Sequence, residues 1–401
     1  MIYVHVPFCR SFCTYCGFYS EVAPKCRSNE RSQEGQIEAY LSALESEIRA
    51  RRHEIDRVFA SGGVNTLYIG GGTPSILPVS AFERLVAALG RPEYREFTVE
   101  VNPEDIVEKG VDYVRALKDL GVNRISMGVQ SFDEGILRFM NRRHSADQAR
   151  QAYRIIEDAG IENISIDLIF GLPQLSDGLW RDTITQALNI SSKGVVPRHI
   201  SAYQLSVEPG SMLEKLMTKG RFEEAPEQQC ARQYEILCEE LSRAGYHHYE
   251  ISNFAQPGCE ALHNSAYWRH VPYVGLGPGA HSFMLRPSDG AISALSEDSL
   301  LFVRQWNRED IRGYVEAAQY GDFTAVMDGE VLDGGQIVME KVMLGLRTSA
   351  GLPEDVLRGC CAAGAVDRAL ASGDLVYNRE GNLRIPQSRF FVSDRIVSNL
   401  I

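Results

Sequence analysis

The first two-thirds of the chain alternate between two hydrophobic periods. Short β-branched runs at residues 2–6, 66–70, 97–101, 124–128, 163–170 and 199–207 read as strands. Apolar residues recur at helical spacing over residues 37–52, 79–89, 111–120, 145–159, 179–189 and 228–244. Six such β–α units in series predict parallel strands joined by right-handed crossovers, hence a full or partial barrel. A doubly wound sheet of the flavodoxin kind is the alternative. One regularity favours the barrel. Polar or glycine-rich segments (CRSFCTYC, GGGTPS, EVNP, GVQS and DLIFGLP) fall just after, or late in, the strands. Barrel proteins build their sites at the C-terminal ends of many strands, whereas a doubly wound sheet gathers them at one switch point.

After about residue 286 the pattern changes to helical stretches at 308–320, 335–346, 353–360 and 364–372. A hairpin, LVYNREGNLRIP, and a last helix around 388–400 follow. This order predicts a smaller, winged-helix-like α+β domain, so that the chain divides into residues 1–285 and 286–401. Such modules often bind DNA, but no Lys/Arg-rich recognition helix is present and scaffolding is the better reading. Residues 21–36 are polar and predict a surface loop with Cys26 as a free thiol. The run Gly275-x-Gly277-x-Gly279-Ala280 has the look of a dinucleotide fingerprint, but Pro278 and the glycine spacing argue against it. A close-packed turn near the barrel mouth is expected there. Cys360 and Cys361 are expected to be small buried residues.

Composition narrows the class. With 44 % hydrophobic and 23 % charged residues the chain can bury an ordinary globular core. The net charge of −12 argues against a general nucleic-acid binder and against docking on anionic lipid. No run of about 18 apolar residues is present, and the start MIYVHVPFCR lacks the basic and apolar regions of a signal peptide. The expectation is a cytoplasmic protein with no transmembrane segment. Of nine cysteines, three crowd into residues 9–16, a pattern that favours metal over disulfides.

The spacing Cys9-x3-Cys13-x2-Cys16 supplies three thiolates from one loop. Four cysteines would close a [4Fe–4S] cube; three leave one iron open to an exchangeable ligand. A structural zinc site is the rival, but it would want a fourth Cys or His, and Cys230, Cys238 and Cys259 form no such pair. The glycines of GGGTP, residues 70–74, allow close backbone approach to a ligand, and no Lys-Ser/Thr follows to make a phosphate loop. Glu100, Gln130, Arg142 and Asp167 all fall near strand ends, where carboxylates and amides suit ribose hydroxyls and an arginine fork suits a carboxylate. Farther on, His263 sits with Asn264, Tyr267 and Trp268. Aromatic faces beside an imidazole suit a flat, apolar tetrapyrrole carrying iron.

Taken together, YVHVPFCRSFCTYCGFYS, GGGTPS, EVNPED, SMGVQSF, MNRRHS, SIDLIFGLP and HNSAYW resemble the HemN/HemW branch of the radical-SAM superfamily over nearly the whole length. The resemblance implies an incomplete, TIM-like (β/α)6 barrel and a smaller C-terminal domain. It implies a [4Fe–4S] cluster on Cys9, Cys13 and Cys16 whose open iron takes S-adenosylmethionine. Tyr3 would pack against the sulfonium region of that cofactor, and Tyr15 would lie between the cluster cysteines. Gly71, Gly72 and Thr73 would hold the methionine end. Glu100, Gln130, Arg142 and Asp167 would line the cofactor, the last near the ribose; some members hold a second cofactor molecule. HemN-type coproporphyrinogen III dehydrogenases carry a further cysteine two residues after the third, where this chain has Phe18. HemW-like heme chaperones lack it and carry HNxxYW, matched by His263, Asn264, Tyr267 and Trp268. The expected role is therefore heme binding and delivery to respiratory proteins, with His263 as the heme contact and a flavodoxin or ferredoxin as electron donor. Conversion of coproporphyrinogen to protoporphyrinogen is the alternative, and a heme-degrading radical methyltransferase is a third reading. A module without a cofactor would leave the strand-end residues unexplained.

Overall fold

The strands form where the β-branched runs lie. A computed structural model describes residues 1–22, 30–60, 64–90, 93–287 and 300–401. In chain order the strands of the first part are β1 (Ile2–Val6), β2 (Phe8–Cys9), β3 (Glu21–Val22), β4 (Thr66–Gly71), β5 (Glu96–Val101), β6 (Arg124–Gln130), β7 (Asn163–Phe170) and β8 (His199–Gln204). Then follow β9 (His247–Glu250), β10 (Asn253–Ala255), β11 (Val274–Leu276), β12 (His281–Pro287), β13 (Leu300–Asn307) and β14 (Met327–Leu332). A short ladder, β15 (Val376–Tyr377) and β16 (Leu383–Arg384), lies near the end.

Nine strands make the main sheet, in the order β11-β1-β4-β5-β6-β7-β8-β10-β9. From β11 to β8 every neighbouring pair is parallel; β10 and β9 are antiparallel additions. Neither terminal strand pairs with the other, so the six expected β–α strands form an open, partial barrel. The alternating residues of each strand explain its two faces. On β6, Ile125, Met127 and Val129 are fully buried, while Arg124, Ser126, Gly128 and Gln130 line the concave side. On β7, Ile164, Ile166 and Leu168 play the apolar part. Helices Pro103–Asp119, Ala146–Asp158 and Asp177–Leu188 follow β5, β6 and β7 and turn buried apolar residues inward.

The register lays the concave-side residues in rows. Glu100 pairs with Ser126, Ser126 with Ser165, and Ser165 with His199; one row up, Gly128 pairs with Asp167 and Asp167 with Ser201.

The GLGPGA run corrects one expectation. Residues Val274–Leu276 are a sheet strand, with Ile2 opposite Val274, and the tight turn comes only afterwards. A Cβ on Gly275 would sit 1.9 Å from the His281 carbonyl oxygen, and Gly277 has φ +95° against the His5 backbone. The glycines permit strand-to-backbone contact rather than ligand approach. The expected polar loop is also shorter than predicted, because a helix already runs from Glu30 to Ala50. Cys26 lies outside the described residues.

Beyond β11 the chain builds a three-stranded antiparallel sheet, β12-β13-β14, which the hydrophobic pattern did not predict. The expected boundary at residue 286 falls inside β12, which pairs along its length with β13. Helices Ile311–Tyr320, Gly334–Gly345, Glu354–Cys360 and Ala365–Ser372 follow, then the β15–β16 ladder and helix Ser393–Leu400. Cys360 ends its helix and Cys361 is already extended, both only half-buried. One buried node joins the two parts. Glu47 is 0 % exposed and accepts hydrogen bonds from Arg51, Asn307, Tyr314 and the Gly277 N–H at 2.6–2.9 Å. Among the described residues no helix is long and apolar enough to cross a membrane.

Candidate functional site

The three cysteines lie in the loop that leaves β1 at the C-terminal edge of the sheet. Main-chain contacts fix that loop. The N–H groups of Gly72 and Thr73 donate to the carbonyls of Val6 and Phe8 at 2.8 and 2.7 Å, and a Cβ on Gly72 would lie 2.6 Å from the Phe8 oxygen. Thr14 donates to the Phe139 and Met140 carbonyls, and the Asn141 amide to the Phe12 carbonyl at 2.6 Å. The cysteine loop is thereby clamped between the GGGTP turn and the segment that carries Arg142.

Cys9, Cys13 and Cys16 are half-buried free thiols facing one cavity of about 860 Å³. Cys9 Sγ lies 3.3 Å from Thr73 Oγ1, and Arg142 Nη1 donates to Cys13 Sγ at 3.3 Å. Burial pushes the Cys16 thiol up to about 11 and raises Cys9, so metal loading must displace protons from this loop. Three thiols from one short loop on one cavity wall supply three of the four cysteines that would close an iron–sulfur cube and leave one iron open. The donor set fits the cube.

The cavity gathers Tyr3, Tyr15, Gly71, Gly72, Thr73, Glu100, Gln130, Arg142, Asp167 and His263 with the three cysteines; Asn264 and Tyr267 also line it, but Trp268 of the same motif does not. Arg142 is tied to Asn102 Oδ1 and the Gly128 carbonyl, each at 2.7 Å, and its Nε is buried without a partner. Burial opposes its charge, but Tyr15, Cys13 and Glu104 hold its pKa above the ordinary arginine value. Gln130 follows a bulge in the β6–β7 register and has φ +67°, a left-handed conformation rare outside glycine. The bulge sets its side chain beside Arg142, both lying close to Gly128.

Glu100 accepts from Tyr68 Oη at 2.6 Å and from the Gly71 N–H at 3.1 Å. Asp167 accepts from Ser126 Oγ at 3.2 Å. Burial raises Glu100 to about 7, and raises Asp167 to about 6 against its hydrogen bonds. Tyr3 Oη meets His5 Nδ1 at 3.1 Å, and the other nitrogen of His5 bonds to the Tyr19 carbonyl.

His263, 2 % exposed, sits on helix Leu262–Trp268, whose first N–H groups donate to Glu96. Its two ring nitrogens are both engaged, Nδ1 with Thr66 Oγ1 at 2.8 Å and Nε2 with Tyr267 Oη at 3.0 Å. Burial, then the N-terminal ammonium and Arg124, lower it to about 3. Phe18 stands at the cavity mouth, 71 % exposed.

Sequence reasoning missed the deeper wall: Tyr68, Asn102, Arg124, Ser126, His199 and Ser201 also line the cavity. The signal was the strict polar–apolar alternation of RISMGVQ, which turns Arg124, Ser126, Gly128 and Gln130 to one side.

A parallel partial barrel with a three-thiolate loop at its C-terminal edge defines a radical-SAM protein, and residues 3–187 match the Radical SAM superfamily. Among similar proteins, the "Heme chaperone HemW" of Synechocystis sp. is 33 % identical over 87 % of this chain and 78 % of that protein. The "Heme chaperone HemW" of Bacillus subtilis is 33 % identical over 87 % of this chain and 84 % of its own. The HemN of Escherichia coli, described as a coproporphyrinogen III oxidase and radical-SAM enzyme, shares the fold with a TM-score of 0.73. It covers 99 % of this chain and 89 % of its own at 21 % identity. The chain belongs to the HemW family of radical-SAM proteins. Membership implies a [4Fe–4S] cluster and S-adenosylmethionine.

Proposed function

We propose that this protein binds heme at the barrel cavity and delivers it to acceptor heme proteins. The observation that carries the reading is the combination at the cavity wall. HNSAYW places His263 and Tyr267 on the lining, while the position two residues past Cys16 is Phe18, not a fourth thiol. The HemW relatives are named as heme chaperones.

Cys9, Cys13 and Cys16 would hold the cluster. Gly71, Gly72 and Thr73 would receive the methionine end of the cofactor, with Arg142 and Gln130 beside it. Glu100 and Asp167 offer acceptors for ribose hydroxyls, and Tyr3 and Tyr15 offer ring faces. When bound, the cluster supplies one-electron chemistry to the cofactor sulfonium. The chain's own part is to hold these groups and to present an aromatic, hydrogen-bonding wall. A flavodoxin or ferredoxin would be the electron donor. A reducing cytoplasm would keep the three thiols available for iron.

The test is anaerobic: protein loaded with iron and sulfide receives heme, then an apo-heme acceptor, followed by absorbance. A heme complex that empties into the acceptor is expected. Failure to bind heme overturns the reading, as does conversion of coproporphyrinogen to protoporphyrinogen or opening of the heme ring when cofactor and reductant are added.

A further inference from the structure

Below the residues assigned to the cofactor, the cavity has a floor that the reading above leaves unused. Arg124 occupies it. Its side chain is 3 % exposed, lines the cavity and shows no ion pair within 4.0 Å and no hydrogen bond among the described residues; its Nε is buried without a partner. The row it belongs to shares this state. Thr98, opposite Arg124 on β5, has an unpartnered hydroxyl, and Asn163, opposite it on β7, an unpartnered carbonyl oxygen.

A buried guanidinium with no direct acceptor is costly: Glu100 and Asp167 act on it through space, but no hydrogen bond replaces those it made to water. The carboxylates of the same wall do not fill the gap. Glu100 is engaged by Tyr68 and Gly71, Asp167 by Ser126, and neither comes within ion-pair distance of Arg124. Nor is Arg124 placed for the methionine carboxylate. It starts β6, whereas Arg142 contacts the Gly128 carbonyl and Cys13; at about 3.3 Å per residue, Gly128 lies about 13 Å farther along the strand.

We infer that Arg124 anchors a carboxylate of the bound ligand at the barrel floor. Resting on the heme reading, the group is a propionate of the tetrapyrrole, reached by the planar fork of the arginine. Ser126 and His199 line the cavity on the rows above and add polar groups along the approach.

The experiment compares heme with its dimethyl ester, in which both propionates are masked. Absorbance titrations use the full-length protein as wild type, Arg124→Gln and Arg124→Lys, with melting curves to establish folding. Wild type is expected to prefer the diacid by about tenfold or more, the scale of a charge-assisted hydrogen bond. Arg124→Gln should lose this preference through weaker diacid binding while its ester affinity stays that of wild type. Arg124→Lys should keep part of it.

Equal diacid and ester affinities in wild type overturn the inference, whatever the variants do, and leave a floor held by solvent only. A folded Arg124→Gln that keeps the full preference overturns it too; if that variant does not fold, full preference in Arg124→Lys does so. These outcomes spare the heme reading. Absence of binding by either compound to wild type overturns the heme reading and this inference with it.

Discussion

At the residue scale, His263 shows how burial decides what an imidazole can do. Both nitrogens are hydrogen-bonded, so iron could reach Nε2 only after the Tyr267 hydroxyl leaves. Tyr267→Phe frees that nitrogen and should tighten heme binding several-fold if His263 is the iron ligand. Heme titrations showing no change in Tyr267→Phe and in His263→Gln would dismiss that role. The same ring gives a pH signature. Its folded value of about 3 lies below the unfolded value near 6.5, so the unfolded chain binds the extra proton. Its stabilising part is complete above pH 6.5 and drains away as pH falls toward 3; urea midpoints of His263→Gln should fall less steeply across that range. Glu100 acts in the opposite sense. Held near 7 when folded and near 4.5 when unfolded, it favours the fold most below pH 4.5 and loses that contribution as pH rises to 7. In cofactor-free protein, Glu100→Gln should therefore melt higher relative to wild type at pH 8 than at pH 5. Identical shifts at the two pH values would count against this account.

At the element scale, β6 carries both the most legible and the least legible information. Its apolar residues made it visible as a strand, and GVQS marked its end as a site. The bulge beside Gln130 was hidden, because a backbone at φ +67° leaves no trace in a period-two pattern. Gln130→Val should destabilise by roughly 1–3 kcal/mol, since a β-branched residue resists that conformation, whereas Gln130→Gly should be neutral or better. Chemical denaturation separates the two; equal losses would argue against backbone strain. The six parallel strands and their helices were readable since each presents five or more residues of one period. The strand β11 was not, with three residues set among glycines and recognisable only once β1 lies beside it. Strand β14 escaped for a different reason: most of its residues face solvent and give no apolar signal.

At the scale of the whole molecule, the thirteen site residues named from sequence share one cavity, yet they come from β1 and the loop after it, from β4 to β7 or the segments that follow them, and from helix Leu262–Trp268. What could not be read was the lower wall and the node that links the barrel to the later segment. Around Glu47, Arg51 from the next turn and three donors from far along the chain meet a single carboxylate with no exposed surface. Only the Arg51 pair at i+4 is local to Glu47; its other partners lie up to 267 residues away. Glu47→Ala leaves Arg51 with Glu54 alone as its ionic partner and strands the Tyr314 hydroxyl and the Gly277 N–H, while Asn307 keeps only the Gly277 carbonyl. A loss of about 3–5 kcal/mol is expected in equilibrium unfolding. A loss under about 1 kcal/mol would show that the node contributes little beyond its packing.

The two-faced strands have a consequence for how such a molecule can change. Cohesion resides in the outward residues pressed against the helices, while the inward residues meet a hollow. Replacing alternate positions of a strand can therefore retune what the hollow accepts while leaving the helix-packed face intact. The lumen behaves as an interchangeable lining inside a fixed shell, which is how one cofactor loop can come to serve cargo as well as chemistry.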